Sequence, residues 1–189
     1  MKQIQFGKEE NIVYDKVVNK VRAVILNKEG RALLVKYAGL YMLPGGRVDS
    51  GEPPLEALKR EILEESGIEI DSSDAQEFLQ IDSYSKKYYS REHNELINRI
   101  THTKIYFVET NQDINEQKKK LTQSEIEEKH KISFENLSVI PYLVQMNKTD
   151  NNKKIEFDRE ILTALKEFAI YREQISEKER WNFKLDIIK

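Results

Sequence analysis

Three glutamates, Glu61, Glu64 and Glu65, stand at i, i+3 and i+4 within GRVDSGEPPLEALKREILEESGI, residues 46–68. On a helix that spacing gathers all three carboxylates on one face within a single turn. Like charges so placed cost about a few tenths of a kcal/mol per pair, so an isolated helix gains nothing from them. A cation reverses the sign. The apolar residues of the same stretch, Leu55, Leu58 and Ile62, lie roughly 100° around the axis, leaving one side to pack and the adjacent side to present acid. Pro53 and Pro54 fit an opening turn, where a missing N–H costs nothing, and Gly67 fits a left-handed cap. The spacing predicts a helix from Pro54 to Ser66.

A carboxylate cluster in a chain without cysteine suits a hard, oxygen-preferring ion, Mg²⁺ first and Mn²⁺ second. Ahead of the helix, Leu43-Pro44-Gly45-Gly46 bends the chain where only glycine lets a backbone carbonyl approach such an ion. Arg60, next to Glu61, is placed to pair with a carboxylate and hold its rotamer. Loop and helix therefore read as one site.

The order Gly46, five residues, Glu52, seven residues, Arg60-Glu61, Ile62, one residue, Glu64-Glu65, one residue, Gly67-Ile68 resembles the complete Nudix box of the Nudix hydrolases. The plain alternative, a solvated acidic helix face, does not carry this spacing. The resemblance implies an α/β fold, a Nudix-type α/β/α sandwich with a mixed β-sheet. It implies a divalent-metal-dependent hydrolase that cleaves the pyrophosphate linkage of a nucleoside diphosphate joined to another group. Glu61, Glu64 and Glu65 become the metal ligands with the Gly46 carbonyl, while Glu52 and Arg60 orient the cluster. The acidic loop Glu125-Ile126-Glu127-Glu128, followed by a short strand and a small helix, resembles the segment from which family members draw a further ligand or the general base. Glu125 ranks first there, against the plain reading of a surface acidic run. The sequence leaves open which glutamate takes the proton from water.

The rest of the chain narrows the setting. A length of 189 residues fits one domain with a real core, and a net charge of −2 argues against a nucleic-acid partner, which would need a basic stripe. Without cysteine there are neither disulfides nor thiolate metal sites. No segment resembles a signal peptide or a membrane span, so a cytoplasmic protein acting on a small-molecule nucleotide is expected. The domain is expected over residues 15–172, between an N-terminal arm, 1–14, and a tail, 173–189.

Strands are expected over 17–26, 31–37, 76–84 and 100–109, with a turn at Asn27-Lys28-Glu29-Gly30. Pattern alone supports only α+β or α/β. Residues 85–99 carry Tyr88, Tyr89, Lys86, Lys87 and Arg91, aromatics with cations that could stack a base and neutralise phosphate; the plain alternative is an exposed hairpin extension. Tyr84 lies near a position where tyrosine occurs in dinucleoside polyphosphate members of the family. Tyr84, Tyr88 and Arg91 are the candidate substrate contacts. Residues 111–122, with Lys118-Lys119-Lys120, read as a solvated loop or a flap over a polyphosphate. Asp158 is expected to cap a helix with an apolar stripe of Ile161, Leu162, Leu165, Phe168 and Ala169. In the tail Trp181, Phe183, Leu185 and Ile187 alternate as in a strand, fit to pair with the chain's own sheet edge or in a homodimer. The alternatives from other classes are a nucleotide-sensing Nudix domain that does not cut, and a protein-interaction module using the tail.

Overall fold

A computed structural model describes residues 1–90, 94–148 and 151–175. Its centre is β2 (Lys16–Asn27), which runs parallel to β6 (Glu95–Thr110) in unbroken register from Lys16↔Arg99 to Asn27↔Thr110. The turn after β2 closes on its own residues. Asn27 Oδ1 accepts from the Glu29 and Arg31 amides at 3.1 and 2.9 Å, and Gly30 takes the positive φ of 72° that the reversal needs. β3 (Ala32–Tyr37) returns antiparallel and pairs with β4 (Leu40–Met42). β5 (Gln76–Ser90) joins β6 antiparallel. The expected strands over 76–84 and 100–109 are thus parts of a longer hairpin whose arms include the described residues of 85–99.

Two further strands complete the sheet. β1 (Lys2–Phe6), from the weakly patterned arm, lies parallel to β5 at the edge, and β7 (Lys131–Glu135) pairs with β3. The result is a seven-stranded mixed sheet.

Alternation along β2 divides the core. Val21, Ala23 and Ile25 face α1 (Pro54–Ser66) and pack with its Ala57, Leu58 and Ile62; Val24 and Leu26 face α3 (Ile140–Gln145) and α4 (Asn151–Ile175), with Ile140, Val144, Ile161, Leu165 and Phe168. Helices on both faces make the expected α/β/α sandwich. α1 spans the residues read from its proline start and glycine cap, and Gly67 adopts φ 70°.

Asp158 is a correction: it lies inside α4, which begins at Asn151, and caps nothing. Its carboxylate accepts from Asn147 Nδ2 at 2.7 Å and Lys154 Nζ at 2.5 Å. Side-chain and cationic donors use the acceptor that would otherwise have served a helix N-terminus. The acidic run expected as loop also begins as a short helix, α2 (Gln123–Glu127), closed by a capping box between Thr122 and Glu125.

Candidate active site

The glycine loop lies against β2 because its backbone completes that strand's hydrogen bonding. Ala23 N donates to Pro44 O, Val21 N to Gly46 O and Val48 N to Asn19 O, each at 3.0 Å. The approach leaves no room for side chains. A Cβ on Gly45, whose φ is 121°, would fall 2.3 Å from Val21 O, and one on Gly46 would fall 2.3 Å from the Glu61 carboxyl carbon. Gly46 therefore touches Glu61, and its carbonyl keeps a lone pair beyond the bond from Val21.

The glutamates divide by partner. Glu65 is buried, 6% exposed, and its Oε2 accepts from Gly45 N at 2.9 Å. Burial pushes its pKa up to about 8, and neighbouring Glu61 and Glu125 push the same way, against the pull of Arg22 and of the Gly45 amide. Glu61 is also raised, by burial first. Arg60 grips the rest: Nε and Nη2 reach the two Glu52 oxygens at 2.9 Å each, and Nη1 reaches Glu61 at 2.8 Å and Glu64 at 3.4 Å. That guanidinium holds Glu52 below the usual carboxylate range.

Among the described residues no three acidic or histidine side chains converge as a ligand cage, since Arg60 draws Glu61 and Glu64 to itself. The donor set nevertheless fits a hard divalent ion in two respects. All donors are oxygens, and Glu65 is a buried acid whose neighbours Glu61 and Glu125 make its charge costlier, a cost that a cation would offset.

Glu125 holds its own cap, accepting from Thr122 N at 2.6 Å and Thr122 Oγ1 at 2.7 Å, yet it lies within electrostatic reach of Glu65. Two residues outside the site expected from sequence stand beside the cluster: His130, which has no second histidine at a ligand spacing, and Arg22. The His130 side chain is almost fully covered, with neither ring nitrogen hydrogen-bonded and Nε2 4.0 Å from Glu65 Oε1. Burial lowers its pKa. Arg22 is 5% exposed and donates through Nη1 to Leu43 O at 3.0 Å and to Gly45 O. A signal for Arg22 existed: a charge inside the apolar run VRAVIL must find partners when buried.

The candidate substrate contacts lie apart from the glutamates. Tyr84 and Tyr88 line a cleft of about 470 Å³ between the β5–β6 hairpin and α4, shared with Phe6, Lys86, Lys87 and Arg159. Tyr88 stacks on the Arg99 guanidinium at 3.4 Å, and Tyr84 meets Tyr14 edge-on. Arg91 lies outside the described residues, as does the alternating stretch Trp181 to Ile187. Residues 111–122 are bound to the end of α1: Asn115 N donates to Ser66 O and Lys120 N to Glu64 O, both at 2.9 Å. Backbone groups of the lysine-rich segment thus satisfy carbonyls that the helix end leaves open.

Comparison with known proteins bears on the family and the fold. A model of the NUDIX domain matches residues 17–155. A Bacillus subtilis (strain 168) protein, named provisionally as an 8-oxo-dGTP diphosphatase, is 54% identical over 46 residues, 23% of this chain and 31% of that one. The match therefore spans about a third of that relative's length. Among solved structures, a Caenorhabditis elegans Ap4A hydrolase in a binary complex superposes with a TM-score of 0.51 at 16% identity, covering 83% of this chain and 98% of that one. A MutT protein from Methanosarcina mazei Go1 gives 0.50 at 20% identity, covering 78% and 95%. These two likenesses concern the fold. The family model spans most of the chain, including the glycine loop and the acidic helix, and the chain belongs to the NUDIX family.

Proposed function

We propose that this Nudix hydrolase cleaves the phosphoanhydride of a nucleoside diphosphate derivative, with Mg²⁺ or Mn²⁺ held by Glu61, Glu64, Glu65 and the Gly46 carbonyl. The carrying observation is Glu65: a buried carboxylate beside Glu61, facing the glycine loop, with its pKa pushed up to about 8. When bound, a divalent cation there neutralises phosphoryl charge and lowers the pKa of a coordinated water. The chain's own residues do the rest. Arg60 and Glu52 hold the acidic face in order, Gly46 lets the Glu61 carboxylate lie against the loop backbone, and Glu125 or a box glutamate accepts the proton from water. The names of two relatives point to different nucleotides, 8-oxo-dGTP and Ap4A, and what those share is a phosphoanhydride on a nucleoside. The cleft holding Tyr84 and Tyr88 supplies aromatic faces for a base and lysines for phosphate.

The test is product release from a panel of nucleoside triphosphates, dinucleoside polyphosphates and nucleoside diphosphate sugars, with Mg²⁺ and then with EDTA. Turnover that EDTA abolishes, and that Glu64→Gln lowers by about 10²- to 10³-fold in a folded protein, is expected. Saturable binding without turnover would replace the hydrolase by a nucleotide sensor.

A further inference from the structure

A row of polar and charged side chains crosses the sheet beneath α4. Lys20 and Arg22 alternate on one face of β2, and Thr101 and Thr103 stand beside them on β6, in the register Val18↔Thr101 and Lys20↔Thr103. α4 answers with Glu156 and Glu160, one helical turn apart. Arg99 Nη2 meets Glu156 at 2.7 Å, and Thr103 Oγ1 donates to Glu160 Oε2 at 3.1 Å. Arg22 Nε lies 3.4 Å from Glu160 Oε1, an ion contact without the geometry of a hydrogen bond. Arg22 and Glu160 are both almost fully buried, at 5% and 7% exposure.

The other end of Arg22 has a different task. Its Nη1 donates to two carbonyls of the glycine loop, Leu43 O and Gly45 O, and Nη2 reaches Met42 Sδ at 3.6 Å. The Gly45 amide in turn donates to Glu65, and Gly46 abuts Glu61. A continuous chain of contacts therefore runs from α4 through Glu160, Arg22 and Gly45 to Glu65. A guanidinium is a planar fork, so whatever fixes its Nε edge fixes the direction of its Nη donors.

We propose that Glu160 is a positioning residue for the metal-binding loop, acting through Arg22 to hold the Gly45 amide and the Gly46 carbonyl in place. The inference rests on the metal-dependent reading above. It gives α4 a part in the site that none of the Nudix box residues can supply. Partners of this kind, once removed, typically cost about 10- to 100-fold in metal affinity or activity.

The experiment measures Mn²⁺ binding to the full chain by electron paramagnetic resonance without substrate, alongside steady-state kinetics and thermal melting. Glu160→Gln keeps the shape and removes the charge. It is expected to weaken Mn²⁺ binding about 10- to 100-fold and to lower kcat comparably, with KM changed less than about threefold. Glu160→Asp keeps the charge but draws it back from the Arg22 Nε edge, and it carries the test should Glu160→Gln fail to fold; it is expected to melt near wild type and to bind Mn²⁺ about 10-fold more weakly. Wild-type Mn²⁺ affinity and kcat in whichever of these variants folds would overturn the proposal. A wild-type protein that binds no Mn²⁺ would remove the metal site itself, and the positioning role with it.

Discussion

Glu65 is the residue on which charge, burial and pH meet. Its folded pKa of about 8 lies above the value near 4.3 expected for an unfolded glutamate, so the folded chain binds the extra proton. Without a divalent ion, Glu65's stabilising contribution is complete below the unfolded value and is lost as pH rises through about 8. The swing is on the order of a few kcal/mol. With EDTA present, the melting temperature is expected to fall between pH 5 and pH 8, and Mg²⁺ is expected to restore more of it at pH 8, where the ligand is ionised. Glu65→Gln should flatten the fall. A flat profile in the wild-type chain would mean that this carboxylate is better solvated than its burial implies.

At the scale of the element, the glycine loop separates two kinds of constraint. Gly45 combines φ 121° with a Cβ position 2.3 Å from the Val21 carbonyl, and backbone cannot swing aside. Gly45→Ala is expected to cost roughly 2 kcal/mol or more, read as a fall in denaturation midpoint. At Gly46 the obstacle is the Glu61 carboxyl group, the far end of a flexible side chain. Gly46→Ala should cost about 1 kcal/mol or less in stability but turn Glu61 away, so Mn²⁺ binding is expected to weaken in a protein that melts normally. Equal losses in both variants would show that the two glycines serve the fold alike. The boundaries of α1 were legible because proline, the apolar stripe and Gly67 all act within one stretch. Asp158 was misread because α4 begins seven residues earlier, at Asn151, so that its partners are Lys154 one turn back in the same helix and Asn147 across a boundary that the residues do not mark.

Across the whole molecule, the glutamates and the aromatic cleft are separate features that the sheet holds in fixed relation. Tyr88 rests on Arg99, and Arg99 pairs with Glu156 of α4, so the cleft shares its α4 wall with the row that reaches Arg22. If a nucleoside binds there, Tyr88→Ala removes binding felt equally by ground and transition states. KM should rise about tenfold with kcat little changed, measured on whichever nucleotide the enzyme turns over. A matching fall in kcat would place Tyr88 nearer the reacting phosphates than the cleft lining indicates.

Local rules wrote the acidic helix, its caps, the glycine bend and most of the strands into the sequence, because each depends on residues a few positions apart. The electrostatic setting of those acids came only with the fold. Glu65 and His130 are 65 positions apart, and Arg22 and Glu160 are separated by 138, yet their side chains meet. Burial raises the Glu65 pKa, whereas the pairing of Arg60 with Glu61 and Glu64 is local and was legible in the sequence. Short-range spacing can set which carboxylates share a helix face, whereas the free energy of their charges depends on which distant groups exclude water from them.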